Sequence, residues 1–152
     1  MEVNPLELSE ILRNKIALYE HLGIEVLTMG PHEVRFRVAL EKNYNHKGTA
    51  FGGSLYATGV MAAYAMVLTG LHERKINTEN IVISKGEIEY LRPVDTDFEI
   101  ICRFPSLEEE NAFYDELKEK GRVKAKLESQ IVGLGPGRSL KASLIGTFVV
   151  KC

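Results

Sequence analysis

Residues 54–71 read SLYATGVMAAYAMVLTGL, a run without a single charged side chain. Its length approaches the roughly 20 apolar residues that a bilayer requires. Ser54, Tyr56, Thr58, Gly59, Tyr64, Thr69 and Gly70, together with many alanines, make it weakly apolar for an anchor. A helix that is apolar all round also occurs as the buried helix of a globular domain. That reading makes a demand on the rest of the chain, which must cover most of the helix surface.

The flanking segments can supply the cover. Upstream, Asn4, Pro5 and Glu7 have the order of an N-cap, a first helical position and a capping box. Leu8, Ile11, Leu12, Ile16 and Tyr19 then recur at helical spacing up to Gly23. Two strand-like runs, 24–29 and 33–40, are joined through Gly30 and Pro31; in the second, Val34, Phe36 and Val38 alternate with charged neighbours. Downstream, 80–91 and 98–104 read as strands. Ser106 and Glu109 open an amphipathic helix that stops at Gly121. The alternation of Val123, Ala125, Leu127, Ser129 and Ile131, a glycine-rich turn at 133–137, and the alternation resuming at Leu140 describe a long antiparallel hairpin. The expected architecture is α+β, with an antiparallel sheet of five to six strands curled around one long helix. This is the hotdog arrangement, spread over residues 1–152 as one domain.

At 152 residues, 45% hydrophobic and 26% charged, the chain has the composition of an ordinary globular domain. Its net charge of −2 comes from interspersed charges and gives no reason to expect nucleic acid or an anionic membrane as partner. Cys102 and Cys152 lack the number and spacing of a disulfide framework or a zinc site. MEVNPLELSE has no basic region followed by an apolar core, so no secretory signal is expected and the expected location is the cytoplasm.

The segment entering the helix, residues 45–54, reads NHKGTAFGGS. The pattern Asn-x-x-Gly-Thr-x-x-Gly-Gly resembles the active-site loop of hotdog thioesterases. The string from Gly48 to Leu55 is most similar to a thioesterase family found alone or fused behind an acetyltransferase domain, and Tyr90-Leu91-Arg92-Pro93-Val94 also matches the strand after the helix. The resemblance implies hydrolysis of an acyl thioester by water. The acyl group would be carried by coenzyme A or a carrier protein, with no metal or organic cofactor. It further implies edge-to-edge dimers or tetramers whose sites use both subunits. The residue chemistry agrees. Attack on the carbonyl puts charge on its oxygen, and unpaired N–H groups at a helix start can stabilise that charge.

On this basis Asn45, Gly53, Ser54 and Thr58 are the candidate catalytic residues, and His46, Thr49, Phe51, Gly52, Tyr56 and Ser84 the candidate substrate-binding ones. Asparagine is also a common turn residue, and paired glycines also serve a tight turn. Two departures stand out: Phe51 replaces a histidine of one large thioesterase branch, and Val60 occupies the place of its helical acid. The helix has no Asp or Glu before Glu73. That leaves a non-catalytic acyl-thioester binding module as the alternative; a dehydratase, needing a histidine with an acid, fits poorly. Arg122, Lys124 and Lys126 share a strand face, and Glu87 and Glu89 another; both sets read as solvated. Cys102 reads as a small apolar core residue.

Overall fold

The computed structural model describes residues 4–30 and 32–152. The Pro31 junction and the first three residues lie outside these. Helix α1 (Pro5–Lys15) starts as expected: Asn4 Oδ1 accepts from the Glu7 amide at 2.9 Å, and Asn4 Nδ2 donates to Glu7 Oε1 at 3.1 Å. The helix is shorter than the apolar spacing suggests. Ile16 turns to extended backbone (φ −127°, ψ 104°), and Ala17–His21 continues as a 3-10 turn that buries Tyr19. Apolar recurrence does not distinguish one helix from two short ones, and here a β-branched residue marks the break.

Strands β1 (Ile24–Gly30), β2 (Glu33–Val38), β3 (Asn80–Tyr90), β4 (Phe98–Arg103), β5 (Arg122–Gly133) and β6 (Leu140–Lys151) form one antiparallel sheet in the order β1-β2-β4-β5-β6-β3. Helix α2 (Gly52–Glu73) starts two residues before the uncharged run and lies across the sheet, touching β2 through β6. It is long and apolar enough to span a bilayer, yet most of its surface is inside the fold. Ser129 Oγ donates to the Gly59 carbonyl at 2.7 Å, and a Cβ on Gly59 would lie 2.8 Å from Leu144 Cδ2. The helix therefore touches the sheet directly at that point.

Helix α3 (Leu107–Lys120) is capped by Ser106, whose Oγ accepts from the Glu109 amide at 3.1 Å, and it ends on Gly121 in the left-handed conformation at φ +71°. It closes the far end of the core. Phe104 and Phe113 each pack edge to face with Tyr114, and Tyr114 Oη donates to the Val67 carbonyl at 3.0 Å. Glu110, only 1% exposed, meets His32 Nδ1 at 2.5 Å and Arg74 Nη2 at 3.5 Å, tying α3 to the β1–β2 turn and the end of α2.

Cys102 is buried beside Ser129, and burial pushes its thiol up to about 12. Cys152 is exposed. One thiol is therefore expected to react quickly with an aromatic disulfide reagent at pH 8, the second only on unfolding. Because the folded value lies above the ordinary 9.0, this group's contribution to stability is complete below pH 9 and fades between 9 and about 12. Urea midpoints should fall across that window.

Candidate functional site

The loop ahead of α2 is a self-bonded turn. Asn45 Oδ1 accepts from the amides of Lys47 (2.8 Å) and Thr49 (3.1 Å), and Asn45 Nδ2 donates to Thr49 Oγ1 at 2.7 Å. The Asn45 amide bonds the Thr49 carbonyl at 2.8 Å, and Gly48 takes φ +78°, where other residues are strained. Two further bonds dock the turn on the body: the Ala50 amide to the Val94 carbonyl at 2.8 Å and the Phe51 amide to the Asn43 carbonyl at 2.7 Å.

Phe51 caps α2 with extended backbone and no side-chain bond. The amides of Ser54 and Leu55 bond its carbonyl at 2.9 and 3.2 Å. The N–H groups of Gly52 and Gly53 have no partner among the described residues. They are orphan donors at the positive end of a 22-residue helix. Two aromatic side chains hold this turn. Tyr90 Oη donates to the Gly52 carbonyl at 2.9 Å, and a Cβ on Gly53 would come within 2.5 Å of the Phe51 ring. The glycines therefore make room for these rings as well as for any visiting group. Burial, and then the neighbouring Tyr56, hold the Tyr90 hydroxyl above its ordinary range, so it remains a donor at neutral pH.

Both glycines line a cleft of about 540 Å³. Asn45, His46, Lys47 and Thr49 form one wall, and Tyr90 to Val94 the other. Tyr56 lines a second, apolar cavity of about 600 Å³ between α2 and β3, together with Ala57, Val60, Tyr64, Ile81, Ile83 and Phe148. Lys15 and Glu79, paired with each other, also line it. The Tyr56 hydroxyl occupies the space a Cβ on Gly86 would fill, so this ring bridges α2 and β3 beside Tyr90.

Of the residues expected from the sequence, Asn45, His46, Thr49, Gly52 and Gly53 come together on the cleft, and Tyr56 lines the apolar cavity. Phe51, 57% exposed, stands over Gly53 and lines neither space. Ser54 is on the first turn but also lines neither. Thr58 is buried, its hydroxyl donating to the Ser54 carbonyl at 2.8 Å. Ser84 falls at a register shift between Ile83 and Lys85, and its hydroxyl bonds the Thr147 carbonyl at 3.3 Å, away from both spaces. Tyr90, Lys47 and Arg92 were not singled out from the sequence; for Tyr90, its place in the motif-like string 90–94 was the available signal.

Replacing Asn45 with alanine removes three hydrogen bonds from the turn, each worth about 1 kcal/mol net. The Lys47 and Thr49 amides should then exchange hydrogen at least about tenfold faster, while β5 and β6 amides keep their protection. Unchanged exchange would mean that the turn stands without this side chain.

The family model described as "Putative thioesterase (yiiD_Cterm)" matches residues 6–152. A search of curated proteins matches none. Among solved structures, a protein of unknown function from Chlorobaculum tepidum TLS is similar at 28% identity and TM-score 0.87, covering 99% of this chain and 98% of that one. A "putative thioesterase" from Shewanella oneidensis is similar at 25% identity and TM-score 0.85, covering 97% of each. Thioesterase superfamily member 2 of zebra fish shares the fold at 18% identity and TM-score 0.72, covering 97% of this chain and 98% of that one. The family match over nearly the whole length agrees with the strand order, the covered helix and the glycine entry, and the chain belongs to the "Putative thioesterase (yiiD_Cterm)" family, with a hotdog fold.

Proposed function

We propose that the protein hydrolyses an acyl thioester with water as nucleophile, its carbonyl oxygen held by the N–H groups of Gly52 and Gly53. The observation that carries this reading is the pair of unpartnered amides opening on the cleft. A developing oxyanion would gain two fixed donors and the field of the helix end, with no reorganisation at the moment of attack. The apolar cavity lined by Tyr56 suits the acyl chain, since its lining is largely aliphatic and aromatic. Asn45 and Thr49 act through the loop they brace, as positioning residues.

Among the described residues no carboxylate lines the cleft. That observation favours a second reading, in which the thioester is bound and not cleaved. Release of free thiol from a panel of acyl-CoA chain lengths, run beside thermal-shift measurements, separates the two. Stabilisation without thiol release would select binding.

Gly52 offers a clean test of the amide. Phe51 has φ −63° and ψ 133°, a conformation compatible with a following proline, and proline suits the first helical position. Gly52→Pro deletes the N–H, whereas Gly52→Ala adds a Cβ near Tyr90 and keeps it. Gly52→Pro is expected to turn over about 10²–10³-fold more slowly than Gly52→Ala. Equal rates for the two variants would take this amide out of the reaction.

The functional unit we propose is a dimer joined through β3. This strand is at one edge of the sheet, with Val82 53% exposed and the half-covered face of α2 beside it. An unpaired edge next to apolar surface is a template for a second copy. Sedimentation equilibrium should give a mass of at least two 17.0 kDa chains; a monomer at micromolar concentration would defeat the assignment.

A further inference from the structure

The half-covered face of α2 continues past the apolar cavity. Gly53, Tyr56, Val60, Tyr64, Leu68 and Leu71 follow one another at steps of three or four residues, so they form one line along the helix. Gly53 borders the cleft, and Tyr56, Val60 and Tyr64 border the apolar cavity. Tyr64, Leu68 and Leu71 border a third space of about 420 Å³, whose apolar lining is completed by Ile11 of α1 and by Ile76. Cleft, apolar cavity and third space are therefore met in that order along one helix.

Lys15, Tyr64 and Glu79 line both the apolar cavity and the third space. They come from three segments: the end of α1, the middle of α2 and the connection before β3. Lys15 Nζ donates to Glu79 Oε1, and both side chains are exposed. Burial holds the Tyr64 hydroxyl above its ordinary range, with Lys15 pulling it down and Glu79 pushing it up, so the ring stands beside both charges. An apolar cavity is thus bounded at this end by an ion pair. Methylene groups pushed against that pair would strip water from the charges and offer no hydrogen bond in return. The helix sets where this boundary falls: Tyr64 is about 16 Å along the axis from Gly53, and Leu71 about 10 Å further.

We infer that the Lys15–Glu79 pair, beside Tyr64, is the end wall of the acyl site and sets the longest chain it accepts, withholding the third space from the substrate. The inference rests on the proposed thioester reading, in which the carbonyl is held at Gly52 and Gly53, and it adds the chain class: medium over long. Extended from those amides, an octanoyl chain ends before Tyr64 and a palmitoyl chain runs past it. An ion pair this exposed contributes little to stability, so its removal opens the wall without unfolding the sheet. Behind the wall the line of α2 continues as Leu68 and Leu71, apolar surface for the far end of a longer chain once it is admitted.

The test compares wild type with Lys15→Ala/Glu79→Ala on octanoyl- and palmitoyl-coenzyme A, each below its micelle concentration. Wild type should favour the octanoyl ester, and the ratio of palmitoyl to octanoyl kcat/KM is expected to rise at least tenfold in the double variant. The exchanged pair, Lys15→Glu/Glu79→Lys, should return the wild-type ratio, which the loss of two unrelated surface groups would not do. Thermal shift with free octanoic and palmitic acids reads the same wall without catalysis: palmitic acid should stabilise the double variant more than wild type. Thiol release with the same chain-length ratio in all three proteins would overturn the wall and leave hydrolysis standing. The binding contrast without thiol release would leave the wall standing and remove hydrolysis. A wild type that already favours the palmitoyl ester, or one that neither acid stabilises and neither ester engages, would also overturn the wall.

Discussion

The constraint on which the molecule depends is the coverage of α2. A helix without charge over its central turns can hide its surface only if a sheet curls around it, and six antiparallel strands do so here. Contact is close enough that Gly59 leaves no room for a Cβ against Leu144, and Gly70 none against the Tyr114 hydroxyl. Ser129 and Tyr114 donate to carbonyls of the helix from β5 and α3. These contacts set the helix along its own axis. The first turn, where Gly52 and Gly53 leave their amides free, is therefore held by packing well inside the core.

That coupling explains why the fold was largely legible in the sequence and the site only in part. Alternation over 122–131 and 33–38, the caps at Asn4 and Ser106, and the stop at Gly121 are local signals, and each element formed where its signal stood. What failed was also local but degenerate. Leu12 and Ile16 recur at helical spacing whether or not the helix is continuous, so the break at Ile16 was invisible. A period of two cannot reveal a register shift, and Ser84, a candidate for the cleft that also reads as an ordinary strand residue, is at one.

The site mixes both kinds of information. Asn45 to Thr49 form a turn whose bonds run between near neighbours, so its existence follows from residue type. The opposite wall comes from residues 90–94, brought there by the pairing of β3 with β6 and the docking of Ala50 on Val94. No spacing rule joins Lys47 to Arg92 or Gly52 to Tyr90. Thr58, an inward candidate on the same helix, has its hydroxyl bonded to the Ser54 carbonyl of its own helix.

Two spaces that α2 borders differ in a way that bears on chemistry. One is apolar, and the Lys15 and Glu79 beside it are paired to each other; the other is lined by Lys47, Arg92 and the two glycines of the helix start. Tyr56 lines the first and Tyr90 the second, and both contact the start of α2 or the strand facing it. Along α2 the cleft at Gly52 and Gly53 comes first and the apolar cavity from Tyr56 to Tyr64 second, so the same buried helix fixes the spacing between the two.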